Sequence, residues 1–217
     1  MRAEDLMSSP VVTVQPDTPA KAAIASLASH GFTALPVVDE DGRLIGMVTE
    51  ADLMRDRVVP DARARIWRHR EDTPHAPAPG AVGEVMTTPA VGVTRHCDAA
   101  DLTRMMLTDK VRSIPIVDGS TVVGIVTRRD LLRALARDDV AIATDVRHRL
   151  ATYGESYRWT VSVRDGAVTI LDEFDNDTDR HIATVLAQTV PGVQAVEFTS
   201  RGDAGSHPGG ARRSGLG

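Results

Sequence analysis

An internal repeat dominates the first two thirds of this 217-residue chain and restricts the folds that it can adopt. Three segments return in the same order, about 79 residues further along the chain. The matching pairs are MSSPVVTV (7–14) with MTTPAVGV (86–93), ALPVVD (34–39) with SIPIVD (113–118), and GMVTEADLMR (46–55) with GIVTRRDLLR (124–133). A single copy of about 50 residues would bury too little surface to be stable alone. The repeat therefore predicts two copies packed as a pseudo-two-fold pair.

Each copy has the hydrophobic pattern of a β-α-β-β-α unit. In the first copy the predicted elements are a short strand at Val11–Val14, a helix at Pro19–His30, strands at Leu35–Val38 and Leu44–Val48, and a helix that begins at Thr49. The second copy repeats this pattern from Val91 to Arg133. The predicted fold class is α/β for the repeat pair, followed by a small α+β domain.

Composition divides the whole chain into five segments. They are repeat 1 at 1–58, an Arg-rich and then Pro/Ala-rich insert at 59–82, repeat 2 at 83–137, a small α+β domain at 138–200 and a disordered tail at 201–217. In the α+β domain, Asp165-Gly166 is a favoured hairpin turn between two strands. Helices are predicted at Val140–Tyr153 and Thr178–Val190, with a last strand in VQAVEFTS (193–200).

Charge and composition argue against several classes of function. A net charge of −5 and an aromatic content of 3% disfavour nucleic-acid binding, which uses basic surfaces and stacking rings. The arginines of the insert could contact an acidic partner or nucleic acid, but a solvated helix extension that packs Ile66 and Trp67 against a second subunit is the favoured prediction. One cysteine, no secretory signal and no apolar run long enough to span a membrane predict a cytoplasmic protein.

The sequence matches no motif of a catalytic site. It contains no phosphate-cradling glycine loop, nucleophile elbow or zinc-protease helix. His96, Cys97 and Asp98 lie together, but the first copy has a loop before a helix at this place, which predicts a surface loop. We therefore expect a protein that is not an enzyme and that holds no metal.

A Thr-x-x-Asp motif in each copy allows two interpretations. The pairs are Thr49 with Asp52 and Thr127 with Asp130. In the first interpretation, the threonine caps a helix and the acid reaches back to it, as in a capping box. Capping boxes prefer the longer Glu or Gln, and both motifs directly follow a Gly-hydrophobic-Val strand, which favours a ligand-binding role. A carboxylate can accept both adjacent ribose hydroxyls, and a helix start favours a nearby phosphate.

These motifs, doubled at this spacing, resemble a tandem pair of CBS domains, which is also called a Bateman module. The resemblance covers residues 1 to about 137 and rests on the two hydrophobic-Pro-hydrophobic-hydrophobic-Asp strands and on Gly-hydrophobic-Val-Thr-x-x-Asp-Leu. It implies a homodimer formed through the pair. It also implies regulatory binding of an adenosine-containing small molecule: AMP, ADP or ATP, with S-adenosylmethionine as a further candidate. No other cofactor is expected.

The resemblance also implies which residues bind the nucleotide. Asp52 and Asp130 would hold ribose hydroxyls, while Thr49 and Thr127 would contact ribose or phosphate. The residues expected around the base are Val12, Ala34 and Pro36 in the first copy and Val91, Ser113 and Pro115 in the second.

The two copies differ in charge beside the motif. The first motif continues with Glu50 and Ala51, and the second with Arg128 and Arg129. Positive charge at a helix start is unfavourable by about 0.3–1 kcal/mol per residue. We therefore expect a bound phosphate near Arg128 or Arg129, the alternative being that both are solvated surface charges. Arg112 is a further phosphate candidate that the resemblance implies.

The segment at 138–200 resembles a BON domain. The matching marks are Val146-x-x-x-Leu150 at a helix end, Asp165-Gly166-x-Val168, and Pro191-Gly192-Val193-x-x-Val196. The family has a glycine after the second strand, where this chain has Asp172. The resemblance implies contacts with protein or, as a weaker expectation because no cationic amphipathic face is present, with membrane phospholipid.

Two functions follow from these resemblances. In the first, the protein is a non-catalytic sensor that signals nucleotide binding through the repeat pair to the BON-like domain or to an unknown protein client. In the alternative, it is a dimeric adaptor with vestigial clefts, whose BON-like domain binds protein or phospholipid.

Overall fold

The computed structural model describes residues 1–55, 57, 78–154, 158–172 and 176–199. They form two compact units, one of Arg2–Leu131 and one that joins Met1 to the chain from Leu132 onward. The predicted insert helix with Ile66 and Trp67 and the predicted tail at 201–217 lie outside the described residues. Within the described ranges, no helix is long and apolar enough to cross a membrane.

The α-β-β-α part of the predicted unit is present in both repeats, and the leading strand is a named strand in the second repeat only. The first repeat contains α1 (Ala3–Leu6), α2 (Ala20–His30), β1 (Ala34–Val38), β2 (Leu44–Thr49) and α3 (Glu50–Met54). The second contains a 3₁₀ turn (Val82–Glu84), β3 (Val93–Thr94), α4 (Ala99–Thr108), β4 (Ser113–Asp118), β5 (Thr121–Thr127) and α5 (Arg128–Leu135). The predicted helices and paired strands are confirmed to within about two residues.

The first predicted strand of each repeat is shorter than expected. In place of a strand at Val11–Val14, the first repeat has a single parallel bridge between Val14 and Val37. In the second repeat, β3 has two residues and pairs in parallel with β4. Pro10 and Pro16 bound the segment in the first repeat, and proline has no amide to donate to a neighbouring strand.

Each repeat buries a small aliphatic core between its helices and its antiparallel hairpin. All five residues of β1 are buried, so this strand is covered on both faces. The first core contains Ala20, Ala23, Leu27, Leu35, Val37, Val48, Leu53 and Val82. The second core contains Ala3, Leu102, Met106, Ile114, Ile116 and Val126.

The two repeats exchange their leading segments, which the sequence did not predict. Ala3 N–H donates to the carbonyl of Cys97 over 2.8 Å, so the start of the first repeat packs on the second. In return, Ala20 N–H donates to the carbonyl of Gly80 over 2.9 Å, and Val82 lies in the first core. The repeat pair is therefore one interlocked body rather than two docked copies.

The second unit is a three-stranded sheet covered by two helices. Its elements are α6 (Asp139–Ala151), β6 (Trp159–Arg164), β7 (Ala167–Asp172), α7 (Asp177–Gln188) and β8 (Ala195–Thr199). The strand order is β6-β7-β8, with β6 antiparallel and β8 parallel to β7. The predicted elements of this segment are confirmed. Its core contains Ile142, Ala143, Val146, Leu150, Trp159, Val161, Val168, Ile170, Ala183, Ala187 and Val190.

The hairpin turn of the second unit is held by a carboxylate. Asp165 and Gly166 have φ of 50° and 75°, the left-handed pair that a two-residue hairpin turn requires. Their backbone N–H groups both donate to Asp139, at 2.7 and 3.0 Å. A Cβ on Gly166 would stand 2.7 Å from the carbonyl oxygen of Gly192, so this position also needs glycine for space.

Candidate ligand sites in the repeat pair

Both Thr-x-x-Asp motifs form capping boxes, at the starts of α3 and α5. Thr49 Oγ1 donates to Asp52 Oδ2 over 2.7 Å, and Thr127 Oγ1 donates to Asp130 Oδ2 over 2.6 Å. The same Oδ2 atoms accept the threonine backbone N–H groups at 3.0 and 2.9 Å. Each threonine oxygen in turn accepts the aspartate N–H at 3.3 Å. The capping interpretation is therefore confirmed in both repeats.

The preference of capping boxes for Glu or Gln does not exclude aspartate here, since Asp52 completes one with Thr49. The aspartate carboxylate reaches the threonine backbone N–H directly, at 3.0 Å for Asp52 and 2.9 Å for Asp130. As a consequence, one carboxylate oxygen of Asp52 is committed to the cap, and its Oδ1 lies 3.7 Å from Arg55 Nη2. A ribose at this place would meet Oδ1 alone, not two unoccupied carboxylate oxygens.

The hairpins place the predicted base-contact residues beside the capping threonines. Ala34 pairs with Thr49, and Ser113 pairs with Thr127. Directly opposed residues of an antiparallel pair project to the same face, as does the residue two places along. Pro36 and Pro115 therefore share that face. The structure thus brings together Ala34, Pro36, Thr49 and Asp52, which we call the first site, and Ser113, Pro115, Thr127 and Asp130, which we call the second site.

Val12 and Val91 lie on the segments that run beside the first strand of each hairpin. The parallel pairing of Val14 with Val37 brings Val12 alongside the start of β1, and β3 brings Val91 alongside the start of β4. Their exposed fractions are 37% and 66%. Each valine is therefore an apolar side chain in solvent at the place where the resemblance implies a base contact.

The two sites differ at one position in the hairpin. Ala34 is 7% exposed and carries only a methyl group. At the equivalent position, the hydroxyl oxygen of Ser113 is buried and has no hydrogen-bond partner. Asp130 is the buried charged residue of the second site, at 8% exposure.

Arg128 holds the end of another helix. Its Nη2 donates to the carbonyl of Met106 over 2.6 Å, and its Nε donates to the carbonyl of Val111 over 3.1 Å. A cation at the carboxyl end of α4 is electrostatically favourable. These two hydrogen bonds offset part of the unfavourable interaction between two arginines and the helix start, without any bound anion. The guanidinium of Arg128 is directed to carbonyl oxygens, not to the start of its own helix.

Arg112 reaches the other repeat. Its Nη1 lies 3.2 Å from Glu50 Oε1, and both side chains are exposed, at 67% and 42%. The guanidinium therefore lies next to the capping box of the first site, although Arg112 precedes Ser113 of the second. Exposed pairs of this kind contribute little to stability. Arg129 is exposed at the start of α5.

One concave surface of the repeat unit lies outside both sites. A groove of about 340 Å³ runs between α2 and α3. Its lining is mostly apolar and includes Ile24, Leu27, Phe32, Leu53 and Met54. Across the described ranges, no group of three or more His, Cys, Asp or Glu side chains is placed to hold a metal ion.

Sequence reasoning missed the partner of Arg112 and the role of the repeated glycines. Glu50 was assigned to the helix start only, because a contact between repeats leaves no trace in local pattern. Gly46 and Gly124 give room for the exchanged segments, since a Cβ at either place would lie within 3 Å of Met86 Sδ or Met7 Sδ. The glycine that both Gly-hydrophobic-Val strands share was the sequence feature that could have indicated this close approach of another segment.

The fold and the paired sites define a CBS domain pair. The CBS domain family model matches residues 3–58 and 82–137, which is just over half of the chain. This protein therefore belongs to the CBS domain family and carries two copies of the domain in tandem.

Particular relatives agree with this assignment. The CBS domain-containing protein YhcV of Bacillus subtilis is 32% identical over 59% of this chain and 81% of its own length. The uncharacterized protein MJ1404 of Methanocaldococcus jannaschii is 31% identical over 60% of this chain, which spans only 31% of that protein. The solved CBS-pair protein CBSX2 of Arabidopsis thaliana is 27% identical and covers 61% of this chain and 92% of its own, with a TM-score of 0.50. A further crystal structure of CBSX2 contains AMP.

The second unit is not covered by these matches. The family-model matches end at residue 137, and no BON domain model matches the C-terminal region. The BON resemblance is therefore not shown, although the α-β-β-α-β order and the three-stranded sheet are present.

Proposed function

We propose that this protein is a non-catalytic sensor of adenosine nucleotides of the AMP, ADP or ATP type, with S-adenosylmethionine as a further candidate. The observation that carries the proposal is the duplication of one constellation. Each site has a carboxylate fixed by its own capping box, a proline on the neighbouring strand and an exposed valine on the adjacent segment. The capping boxes also stabilise the starts of α3 and α5, but the exposed valines belong to neither core.

The chemistry of each group suits one part of an adenosine nucleotide. The carboxylate accepts a ribose hydroxyl, as a carboxylate oxygen outside the cap remains an acceptor. Val12 or Val91 offers the apolar contact that a purine base needs, whereas Pro36 and Pro115 are buried. Arg112 and Arg129 are exposed cations close to the two helix starts and are the candidates for phosphate.

Calorimetric titration of the full chain with AMP, ADP, ATP and S-adenosylmethionine tests this function. AMP is the first ligand to titrate, because CBSX2 has been crystallised with it. A ligand that binds only the folded protein stabilises it by about 2.7 kcal/mol at 100 times its Kd, which a thermal-shift measurement detects independently. Binding of at least one of the four supports the proposal, and no binding or stabilisation by any of them would overturn it in favour of the adaptor function.

Titration of the variants Asp52→Asn and Asp130→Asn tests whether these carboxylates form the two nucleotide-binding sites. Asparagine keeps an oxygen that can accept the capping hydrogen bonds, but it removes the charge and one acceptor. We expect each substitution to weaken binding at its own site at least tenfold. Asp138→Asn is the matched control, because Asp138 caps α6 through a hydrogen bond from Val140 N–H in the other unit. Equal loss in all three variants would contradict the assignment of the sites.

The signal is proposed to pass to the second unit or to a protein client. A ligand shifts a conformational equilibrium only as far as its affinities for the two states differ. Hydrogen exchange of the full chain with and without AMP measures this directly. Changed protection at backbone amides of 139–199 supports signalling to the second unit, and changes confined to 2–131 would contradict it.

The homodimer and the contacts of the second unit are parts of the same proposal. Phe32 and Met54, exposed at 40% and 55% beside the α2–α3 groove, are the apolar surface that a second copy would bury. Sedimentation analysis of the wild type and of Met54→Glu tests the dimer, because the introduced carboxylate should dissociate it.

Flotation with anionic liposomes tests the phospholipid contact of the BON-like segment. A cytoplasmic location is proposed with the sensor function.

A further inference from the structure

Helix α5 belongs to both units of the molecule. Its first four residues, Arg128–Leu131, lie in the repeat unit, whereas the second unit takes up the chain at Leu132. The helix starts directly after Thr127, so its first turn contains Asp130 and the capping box of the second site. One helix therefore begins at a proposed nucleotide site and ends in the other unit.

The last turn of α5 packs closely within the second unit. Ala134 is buried, and its carbonyl oxygen would lie 2.9 Å from a Cβ atom on Gly192. The same Cβ atom would lie 2.8 Å from Cδ1 of Ile142 in α6. Gly192 has a φ of 96°, which glycine adopts without strain. The backbone that follows α7 can therefore lie directly against α5 and α6 at this point.

Arg137 joins the chain after α5 to the same part of the second unit. Its Nη1 donates to the carbonyl of Pro191 over 2.8 Å, and its Nη2 donates to Asp145 Oδ2 over 2.5 Å. Its side chain is 25% exposed, and hydrogen bonds between a guanidinium and a carboxylate are stronger than those between neutral groups. The end of α5 is therefore fixed both to α6 and to the residues that precede β8.

The helix of the first site ends inside the repeat unit. Helix α3, which carries the capping box of Thr49 and Asp52, has five residues and ends at Met54. The next residue, Arg55, has left helical geometry, with φ of −57° and ψ of 131°. Among the helices of the described ranges, α5 alone begins in one unit and ends in the other. The two sites therefore differ in how they are connected to the second unit.

We propose that α5 transmits occupation of the second site to the second unit, and that Arg137 is the positioning residue that makes the last turn of α5 respond together with that unit. This inference rests on the proposed function and adds which of the two sites controls the second unit. A ligand that contacts Asp130 uses the carboxylate that caps α5, so it changes the free energy of the helix start. Helical hydrogen bonds form cooperatively, so this change extends to Ala134 and Arg137. Occupation of the first site stays within the repeat unit.

Leu132 offers a test that leaves both ends of α5 intact. Its side chain is 65% exposed and lies where the helix passes from one unit to the other. Leu132→Gly loosens the middle of the helix, and Leu132→Ala is the matched control, because alanine removes the same side chain and favours the helix. The measurement is hydrogen exchange of the full chain with and without AMP. We expect AMP to change the protection of amides in 139–199 about fivefold in the wild type and in Leu132→Ala, and less than about twofold in Leu132→Gly.

Arg137→Met tests the other end of the helix. Methionine keeps an unbranched apolar chain but makes neither hydrogen bond, so the response of 139–199 to AMP should be lost. Arg104→Met is the control, because Arg104 is an exposed arginine that pairs with Asp101 of its own helix, α4, and this variant should keep the response. Each variant is compared with and without AMP, so a general loss of stability cancels. Calorimetry verifies that every variant still binds AMP.

The aspartate variants assign the response to a site. Asp52→Asn should keep the response of 139–199 to AMP, and Asp130→Asn should lose it. A response that persists in Leu132→Gly and Arg137→Met, or that disappears in Asp52→Asn and not in Asp130→Asn, overturns the inference and leaves nucleotide binding standing. AMP binding by the wild type without any change at 139–199 also overturns it, together with signalling to the second unit. If the wild type binds no AMP, the proposed function fails for this ligand and the role of α5 fails with it.

Discussion

The side chain of Met7 occupies the space that a Cβ atom on Gly124 would need. The Met7 Sδ atom would lie 2.6 Å from that Cβ, and the Met7 Cβ atom 3.2 Å from it. Met86 lies against Gly46 in the same way, with Sδ at 2.9 Å. Each glycine belongs to one repeat and each methionine to the leading segment of the other, so these two contacts are part of the interlock between the repeats.

Gly124→Ala should therefore lower the free energy of unfolding by about 1–3 kcal/mol, the usual cost of overpacking a filled core. Met7→Ala opens the space and should make the glycine substitution much less costly. A double-mutant cycle by urea unfolding gives the coupling energy, which we expect to exceed about 0.5 kcal/mol. Additive effects of the two substitutions would show that the methionine and the glycine do not constrain each other.

Arg128→Ala should destabilise the repeat unit by about 1 kcal/mol, because it removes a charged donor from the carboxyl end of α4. Arg129→Ala is the matched control, since Arg129 is the exposed neighbour on the same helix, and should change stability by less than about 0.5 kcal/mol. Thermal unfolding of both variants without ligand measures the difference. If the two arginines have equal effects, the contacts of Arg128 with Met106 and Val111 contribute nothing.

Asp139→Ala should destabilise the second unit by about 1–3 kcal/mol, because two turn amides lose their common acceptor. Asp139 is in the first turn of α6, and Asp177 is in the first turn of α7. Asp177→Ala is therefore a control that keeps the helix-dipole effect comparable while leaving the hairpin turn alone. Hydrogen exchange at Asp165 and Gly166 checks the cause, because their amides should become the least protected of the hairpin in Asp139→Ala only.

Tyr153→Phe should change how the stability of the second unit depends on pH. Tyr153 donates to Asp179 Oδ1 over 2.8 Å, which lowers the pKa of Asp179, and Arg158 at 2.6 Å lowers it further. A carboxyl with a lowered folded pKa stabilises the protein above its ordinary value near 4 and loses this effect as the pH falls. The hydrogen bond to Asp179 also raises the pKa of Tyr153, so its contribution is complete below about pH 10 and is lost as the pH rises further.

The measurement is the Tm of the wild type and of Tyr153→Phe from pH 2 to pH 11. The two curves should be furthest apart between about pH 5 and pH 9 and should converge below pH 4 and above pH 10. A constant separation over the whole range would mean that the phenol acts through packing and not through its hydrogen bond to Asp179.

The capping boxes show that a local sequence pattern can predict where a motif lies without predicting which of its atoms are available to a ligand. Spacing alone placed Thr49 with Asp52 and Thr127 with Asp130, because a helix start leaves amides that a nearby hydroxyl and carboxylate satisfy. The same local rule could not reveal that one oxygen of each aspartate is consumed by the cap. It also could not show that Arg128 turns back to the end of α4, because that contact joins residues 22 positions apart.

The sequence by itself determined the two-copy organisation, the order of helices and strands, the hairpin turn at Asp165-Gly166 and the positions of the two capping motifs. These features depend on periodicity, turn residues and neighbours within about four positions, all of which are visible in one dimension. Only the tertiary structure decided that the leading segments cross between repeats, that Arg112 meets Glu50, and that the Ser113 hydroxyl is left without a partner. Those outcomes depend on which surfaces are buried against each other, and burial is a property of the packed chain as a whole.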